Sequence, residues 1–246
     1  MNDKISVLMP AYNREKYIGN AIKSILYQTH ENLELIVYDD GSRDKTVDIV
    51  KAFMNQDKRI RLIGEEKNNG VAHARNMLLD AVNTEIACWQ DSDDMSNVYR
   101  LKYQIDELRE GGLDLAFGNY VIYRGSEFQL KVLAEREYAK IPPYDRKFNR
   151  GFATVMFRID KVGRFNENKR LGGEDLPWLA EIEKNSSNPT VNIGFRLYYI
   201  RFHDDRIGAW KRKLASLSGF TGVDCSEGEQ AQTYEEMIEA YKRVHP

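Results

Sequence analysis

A mixed α/β fold on a mostly parallel sheet is predicted by three features of the sequence. Short apolar runs of strand length alternate with segments whose apolar residues recur at helical spacing. Each run stops at a polar, acidic or Asn-Gly cluster, and four such β-α units fall within residues 1–110. Successive parallel strands need crossovers, and helices on both faces of a sheet supply them.

The elements follow in order. Ile5-Ser6-Val7-Leu8-Met9 reads as a buried parallel strand stopped by Pro10. Tyr17, Ile18, Ala21, Ile22, Ile25 and Leu26 then mark one face of a helix. Residues 33–38 predict a second strand ending at Asp39-Asp40-Gly41-Ser42, with Val47, Val50 and Met54 on the next helix. A third strand, 60–63, leads through Asn68-Asn69-Gly70 to a helix carrying Val71, Ala74, Leu78 and Ala81. Residues 85–89 form a fourth strand that stops at Gln90-Asp91-Ser92-Asp93-Asp94. The pattern then changes to a long strand (113–123), a polar Pro-containing loop (138–150) and a further strand (153–158). Gly172-Gly173-Glu174-Asp175 opens a helix over 176–184, and 196–202 is a late strand. A basic, partly amphipathic stretch (207–217), a Gly/Ser-containing linker (218–228) and a polar helix (230–243) complete the chain.

The 246 residues carry 36 Lys and Arg against 38 Asp and Glu, a formal net charge of −2. That length suits one large domain, or one domain with an appendage. Hydrophobic residues make up 42% and aromatic residues 11%, enough for a sizeable core and too many for a disordered chain. No apolar run approaches the roughly 18 residues of a membrane span, and Met1-Asn2-Asp3-Lys4-Ile5 begins no signal-peptide apolar region. The expected location is cytoplasmic. Two cysteines, Cys88 and Cys225, make neither a disulfide framework nor a zinc site. The near-neutral charge argues against a chain that wraps nucleic acid by bulk charge.

In a doubly wound sheet, ligands bind outside the carboxyl ends of the strands. Those ends carry Ala11-Tyr12-Asn13, Asp39-Asp40, Asn69-Gly70 and Asp91-Ser92-Asp93-Asp94, so four of them point at one site. Asp91, Asp93 and Asp94 repel one another unless a cation or a network offsets them. Hard oxygen donors with no Cys or His interleaved suit Mg²⁺ or Mn²⁺; the competing reading is acidic capping of a helix N-terminus. Asp40 is either a turn residue before Gly41-Ser42 or, together with Asp39, an acceptor for a base or ribose. Arg75 is either a solvated surface side chain or a contact to a nucleotide and its phosphates. Trp210-Lys211-Arg212-Lys213 is either a solvated face or a site for a lipid phosphate, a membrane surface or nucleic-acid phosphates.

Several stretches together carry a family resemblance. Ser6-Val7-Leu8-Met9-Pro10-Ala11-Tyr12-Asn13, Val37-Tyr38-Asp39-Asp40-Gly41-Ser42, Asn69-Gly70-Val71-Ala72-His73-Ala74-Arg75-Asn76 and Asp91-Ser92-Asp93-Asp94 resemble the successive motifs of family 2 glycosyltransferases. The stretch from Val155-Met156-Phe157-Arg158 through Gly163-Arg164-Phe165 to Gly173-Glu174-Asp175 is similar to that family's acceptor-side segment and Glu-Asp motif. Five ordered motifs across about residues 4–205 are far more specific than any one of them.

The resemblance implies a GT-A type fold, a Rossmann-like and mostly parallel central sheet flanked by helices. It implies a catalytic domain over 1–205, with a nucleotide-sugar-binding half at 1–110, an acceptor-side half at 111–205 and a C-terminal helical tail at 206–246. The implied activity is inverting transfer from a nucleotide sugar, usually a UDP-sugar, with Mn²⁺ or Mg²⁺, to a hydroxyl of a glycan, a lipid-linked glycan or another acceptor. Carried over by position, Pro10, Ala11 and Tyr12 line the base, Asp40 binds the uracil, and Gly70 and Arg75 lie on the nucleotide side. Asp91 and Asp93, with Ser92 between them, are the DxD pair touching ribose and metal, and Asp94 is a further ligand. Asp175 is the catalytic base, with helix N-cap as its alternative role. His203, after the late strand, is either a surface residue or one more ligand of metal or diphosphate.

Three departures qualify the match. Gln90 stands where the family usually has an apolar residue. The QxxRW motif of processive synthases is absent, and Gly208-Ala209-Trp210-Lys211 does not replace it; nor does a membrane span follow. Addition of one sugar per event is the expectation. Two other classes compete: a sugar-nucleotide-binding module without catalysis, disfavoured by the intact acidic set, and a nucleotidyltransferase, expected to show a Gly-rich basic loop in place of Ala11-Tyr12-Asn13-Arg14-Glu15. The basic stretch near Lys211 allows peripheral membrane association, and a protein or nucleic-acid acceptor stays open.

Overall fold

The computed structural model describes residues 3–124, 151–168, 174–186 and 191–202. The polar loop at 138–150, Gly172 and Gly173, His203 and the tail at 206–246 with Lys211 lie outside these residues, so the expected C-terminal helix has no counterpart to compare.

The first half is built as expected: β1 (Ile5–Ala11), α1 (Ile18–Leu26), β2 (Leu33–Asp40), α2 (Thr46–Met54), β3 (Ile60–Glu65), α3 (Val71–Asp80), β4 (Ile86–Trp89) and α4 (Arg100–Glu110). Between β4 and α4 lies the two-residue β5 (Met95–Ser96), too short to leave a periodic signal. Then come β6 (Leu115–Arg124), β7 (Met156–Arg158), α5 (Asp175–Asn185) and β8 (Val191–Phe202). The strands form one mixed sheet in the order β3-β2-β1-β4-β7-β6-β8-β5. β3, β2, β1 and β4 are mutually parallel, β7 runs antiparallel between β4 and β6, and β8 is parallel to β6.

Two apolar layers cover the sheet. Ile5, Val7, Met9 and Ala11 of β1 pack with α1, α2 and α4, while Leu8 faces α3 and α5 on the other side. Period-two alternation within a strand buried on both faces explains why β1 reads as one apolar run yet feeds two cores. The chain moves outward from β1 to β3 and returns to β4 on the far side of β1. That reversal opens a crevice at the carboxyl ends of β1 and β4.

Three local expectations are corrected. Pro10 does not end β1, which continues to Ala11. The Leu8 carbonyl accepts from Gln90 on the β4 side, and Pro10 faces that same side two residues on, beyond the end of the β1–β4 pairing. Its missing N–H costs no ladder bond there. The strand expected from residue 153 starts at Met156, because Phe152–Thr154 is a 3₁₀ turn closed by Thr154 bonding the Gly151 carbonyl through both N–H and hydroxyl. Asp175 is the first helical residue of α5 and not its N-cap; Glu174 stands at the cap position.

Candidate active site

Four strand ends meet at the crevice, as the sequence order predicted. After β1, Asn13 adopts the left-handed region at φ 52°, which Asn tolerates better than most residues. The loop beyond it is locked to the loop after β2. Asn13 N–H donates to Ser42 Oγ and Arg43 N–H to Asn13 Oδ1. Arg14 N–H donates to Thr46 Oγ1, Glu15 N–H to Asp44 Oδ2 and Lys45 N–H to Glu15 Oε2. Tyr12 projects from this loop with 40% of its surface exposed.

Asp39 and Asp40 are both buried at the end of β2. Asp40 accepts the Asn69 N–H at Oδ1 (2.8 Å) and the Gly70 N–H at Oδ2 (2.9 Å), so its carboxylate shapes the start of α3. Gly70 is there because φ is 97°, a conformation that side chains resist. Burial pushes the Asp40 carboxyl above its ordinary range, against the pull of those two amides. Asp39 accepts the Ser42 N–H at Oδ2, while its buried Oδ1 has no hydrogen-bond partner among the described residues. Both carboxylates of the Asp39-Asp40 pair therefore stand at this strand end, the second of them being the one the resemblance assigns to the uracil. An open cleft of about 410 Å³ lined by Asn69, His73, Glu167 and Asn168 adjoins them.

Beyond β4, Asp91, Asp93 and Asp94 bring one carboxylate oxygen each within 4.8 Å of one another. The donor set is all hard oxygen, which fits Mg²⁺ or Mn²⁺, and the mutual repulsion of the three is what a cation would relieve. Asp94 is fully buried and accepts the Arg201 N–H at 2.8 Å. Arg201 Nε donates to the Asp93 carbonyl. Arg14 Nε lies 3.3 Å from Asp93 Oδ2. Ser92 is buried within the turn and Asp91 is partly exposed.

The acidic turn rests on polar residues that the sequence did not assign. Fully buried Gln90 donates to the carbonyls of Asp91 and Asp94 and accepts from Ser96 Oγ and Arg100. Tyr198 Oη accepts the Asp91 N–H at 2.9 Å. Burial, with Asp91 and Asp94 nearby, raises the Tyr198 phenol well above its ordinary value and keeps it neutral. A polar Gln at the end of an otherwise apolar strand was the available signal; Arg100, on a helix rich in charged residues, gave none.

Arg75 is not a solvated side chain. It is 7% exposed, with its guanidinium 4.2 Å from the Phe152 ring centre and 5.5 Å from that of Phe165. Its NH1 pairs with buried Glu174, and its NH2 lies 4.0 Å from Asp91 Oδ1. Beneath it, Trp89, Phe152, Phe157, Phe165 and Trp178 form one aromatic cluster that joins β4 to α5. Asp175 follows Glu174 directly, partly exposed, its Oδ1 accepting the Leu176 N–H. Pro10, Ala11, Tyr12, Asp40, Gly70, Asp91, Ser92, Asp93 and Asp94 thus flank the crevice, and Arg75 links it to Glu174, the residue before Asp175; His203 lies outside the described residues.

The family model for glycosyl transferase family 2 matches residues 6–165. Glycosyltransferase GlyG of Streptococcus pneumoniae serotype 4 is 34% identical over 179 residues, which are 68% of this chain and 60% of GlyG. The UDP-Glc:alpha-D-GlcNAc-diphosphoundecaprenol beta-1,3-glucosyltransferase WfgD of Escherichia coli is 35% identical over 211 residues, covering 85% of this chain and 81% of WfgD. The crystal structure of S. aureus TarS 1-349 in complex with UDP-GlcNAc matches with a TM-score of 0.67 at 22% identity, over 83% of this chain and 60% of that one. This last likeness concerns the fold, and it is the GT-A fold that the motifs implied. The chain spans about 60% of the length of GlyG.

Proposed function

We propose, from the premise that the chain belongs to glycosyl transferase family 2, that it moves a sugar from a UDP-sugar to an acceptor hydroxyl in glycan or glycoconjugate synthesis. The transfer is inverting, metal-dependent and non-processive. Arg75 carries this reading: one guanidinium pairs with Glu174 and lies 4.0 Å from Asp91, so the Glu-Asp motif and the acidic turn adjoin through a single side chain. A single displacement at an anomeric carbon needs a base and a leaving-group site that close together.

Each part of the chain then has a task. Tyr12, with Pro10 and Ala11 at the end of β1, covers the base, while Asp40 and the neighbouring Asp39 accept its hydrogen bonds. Gly70 lets the backbone approach the nucleotide, and Ser92 lies between the two carboxylates of the DxD pair. Asp91, Asp93 and Asp94 would hold Mn²⁺ or Mg²⁺, which when bound stabilises the charge on the leaving diphosphate as a Lewis acid. Asp175 takes the proton of the acceptor hydroxyl as the new bond forms. Arg75 keeps Glu174, and with it the first turn of α5, in register with the acidic turn. The acceptor named for WfgD is a diphosphoundecaprenol-linked sugar, which supports a lipid-linked glycan acceptor here. Peripheral association near Lys211 and a role for His203 at the metal would accompany such an acceptor. Among the described residues no helix is long and apolar enough to cross a membrane.

Thermal unfolding with UDP, Mn²⁺ or both, alongside turnover of UDP-sugars, tests the reading. UDP is expected to raise Tm only when Mn²⁺ is present, and Asp93→Ala to abolish that shift. Asp175→Asn is expected to keep the shift and lose roughly 10²–10⁴-fold in turnover. A metal-dependent shift without turnover of any UDP-sugar would instead mark a binding module.

A further inference from the structure

Arg14 was assigned no role by the sequence, yet it meets the acidic turn. We propose that Arg14 is the exchangeable counter-ion of Asp93: it holds this carboxylate while no divalent cation is bound and is displaced when one binds. The inference rests on reading Asp91, Asp93 and Asp94 as cation ligands.

Arg14 Nε lies 3.3 Å from Asp93 Oδ2, with side-chain exposures of 15% and 10%, so water screens the pair only weakly. Arg14 NH1 also donates to the carbonyls of Tyr12 (3.2 Å) and Asn13 (3.1 Å). The guanidinium therefore bridges the loop after β1 to the turn after β4. The approach is built into the fold, because Asn13 turns the loop at positive φ and Thr46 Oγ1 takes the Arg14 N–H at 2.7 Å.

Arg75 and Arg201 meet the turn through other contacts as well. Arg75 is paired with Glu174 among aromatic rings, and Arg201 is 1% exposed and bonds the Asp93 carbonyl. Arg14 pairs with the Asp93 carboxylate itself, and its loop borders solvent through exposed Tyr12 and Asn13.

A divalent cation on Asp93 would stand close to this guanidinium, and two positive centres repel strongly where solvent is scarce. Binding of the cation therefore includes the loss of the Arg14–Asp93 pair, which weakens the affinity for cation alone. A nucleoside diphosphate arriving with the cation offers the displaced guanidinium an anionic partner, since guanidinium groups pair readily with phosphate oxygens. Cation and nucleotide are then coupled, each favouring the other.

Calorimetric titration with Mn²⁺, without nucleotide, decides the matter on wild type, Arg14→Gln and Asp93→Asn, each checked for folding by circular dichroism. Arg14→Gln is expected to bind Mn²⁺ roughly three- to tenfold more tightly than wild type, the scale of a partly buried ion pair. Asp93→Asn is expected to lose binding. If wild type binds and Asp93→Asn does not, but Arg14→Gln binds no more tightly than wild type, the counter-ion role falls and the cation site stands. If Asp93→Asn binds as wild type does, or neither wild type nor Arg14→Gln binds Mn²⁺, the cation site itself falls and Arg14 with it.

Discussion

Gln90 is fully buried at the end of β4, and both ends of its amide are engaged. Its NH₂ reaches the carbonyls of Asp91 (3.0 Å) and Asp94 (3.2 Å), which fixes the backbone of the acidic turn from below. Its oxygen accepts from Ser96 Oγ (2.6 Å) and Arg100 NH1 (3.2 Å). Arg100 is itself fully buried, its other donors on Gln104 Oε1, Ser96 Oγ and the carbonyls of Trp89 and Ala153. A guanidinium satisfied by neutral acceptors keeps its charge beneath the acidic turn without consuming a carboxylate. Gln90→Leu, which restores the family's usual apolar character, would leave the Ser96 hydroxyl and one Arg100 donor short of an acceptor. At about 1–3 kcal/mol for each buried group so stranded, the variant should lose about 2–6 kcal/mol in urea unfolding. A loss below about 1 kcal/mol would mean that the network closes without Gln90. The sequence exposed this residue as a departure but not its function, because hydrogen-bond partners at 198 and 100 cannot be read from spacing.

At the scale of elements, α3 shows how one helix start is fastened. Asp40 takes the first amides, and His73 in the first turn joins two carboxylates, Glu167 at Nδ1 (3.1 Å) and Glu65 at Nε2 (3.4 Å). Asn76 adds a reciprocal pair with the backbone of Phe165 and a bond to Glu167, tying α3 to the segment before α5. Both ring nitrogens of His73 face acceptors, so the imidazolium satisfies both and the neutral ring only one. Partial burial pulls the His73 pKa down, but the bonds to Glu167 and Glu65 outweigh it and raise the value above 6.5. Glu167 moves the other way, lowered by Asn76 and His73. A group with a raised folded-state pKa contributes stability that is full below its unfolded value and is lost as pH rises through the folded one. Wild type should therefore melt about 2 °C above His73→Gln near pH 6, with the gap closing toward pH 9. A gap that widens with pH would contradict this linkage. Helix and strand positions in this half were legible because apolar spacing is local. Pro10 inside β1 and the 3₁₀ turn at Phe152–Thr154 were not, since each depends on which strand lies alongside.

For the whole molecule, the sheet order explains both what was legible and what was not. The acidic and Asn-Gly clusters could be assigned to one site because parallel strands put all their carboxyl ends on one edge. The union of Arg75, Glu174 and Asp91 spans sequence separations that only the packing of α5 against α3 and β4 creates. The same order grades stability. β1 is paired on both sides, by β2 and β4, and covered by helices on both faces, whereas β3 pairs only with β2 among the described residues and is partly exposed. Amides of β1 should exchange hydrogen only through global unfolding, and those of Ile60–Ile63 through local opening at the edge. A ligand that binds the native state slows global unfolding by the factor it stabilises, but leaves local opening outside its site unchanged. Saturating UDP with Mn²⁺, at about 100 times its Kd, should slow β1 exchange roughly 100-fold and leave the β3 amides nearly unaffected. Equal slowing of both strands, measured by hydrogen-exchange NMR, would mean that β3 opens only with the whole sheet. The edge strand beside Asp39 and Asp40 would then belong to the same cooperative unit as the site.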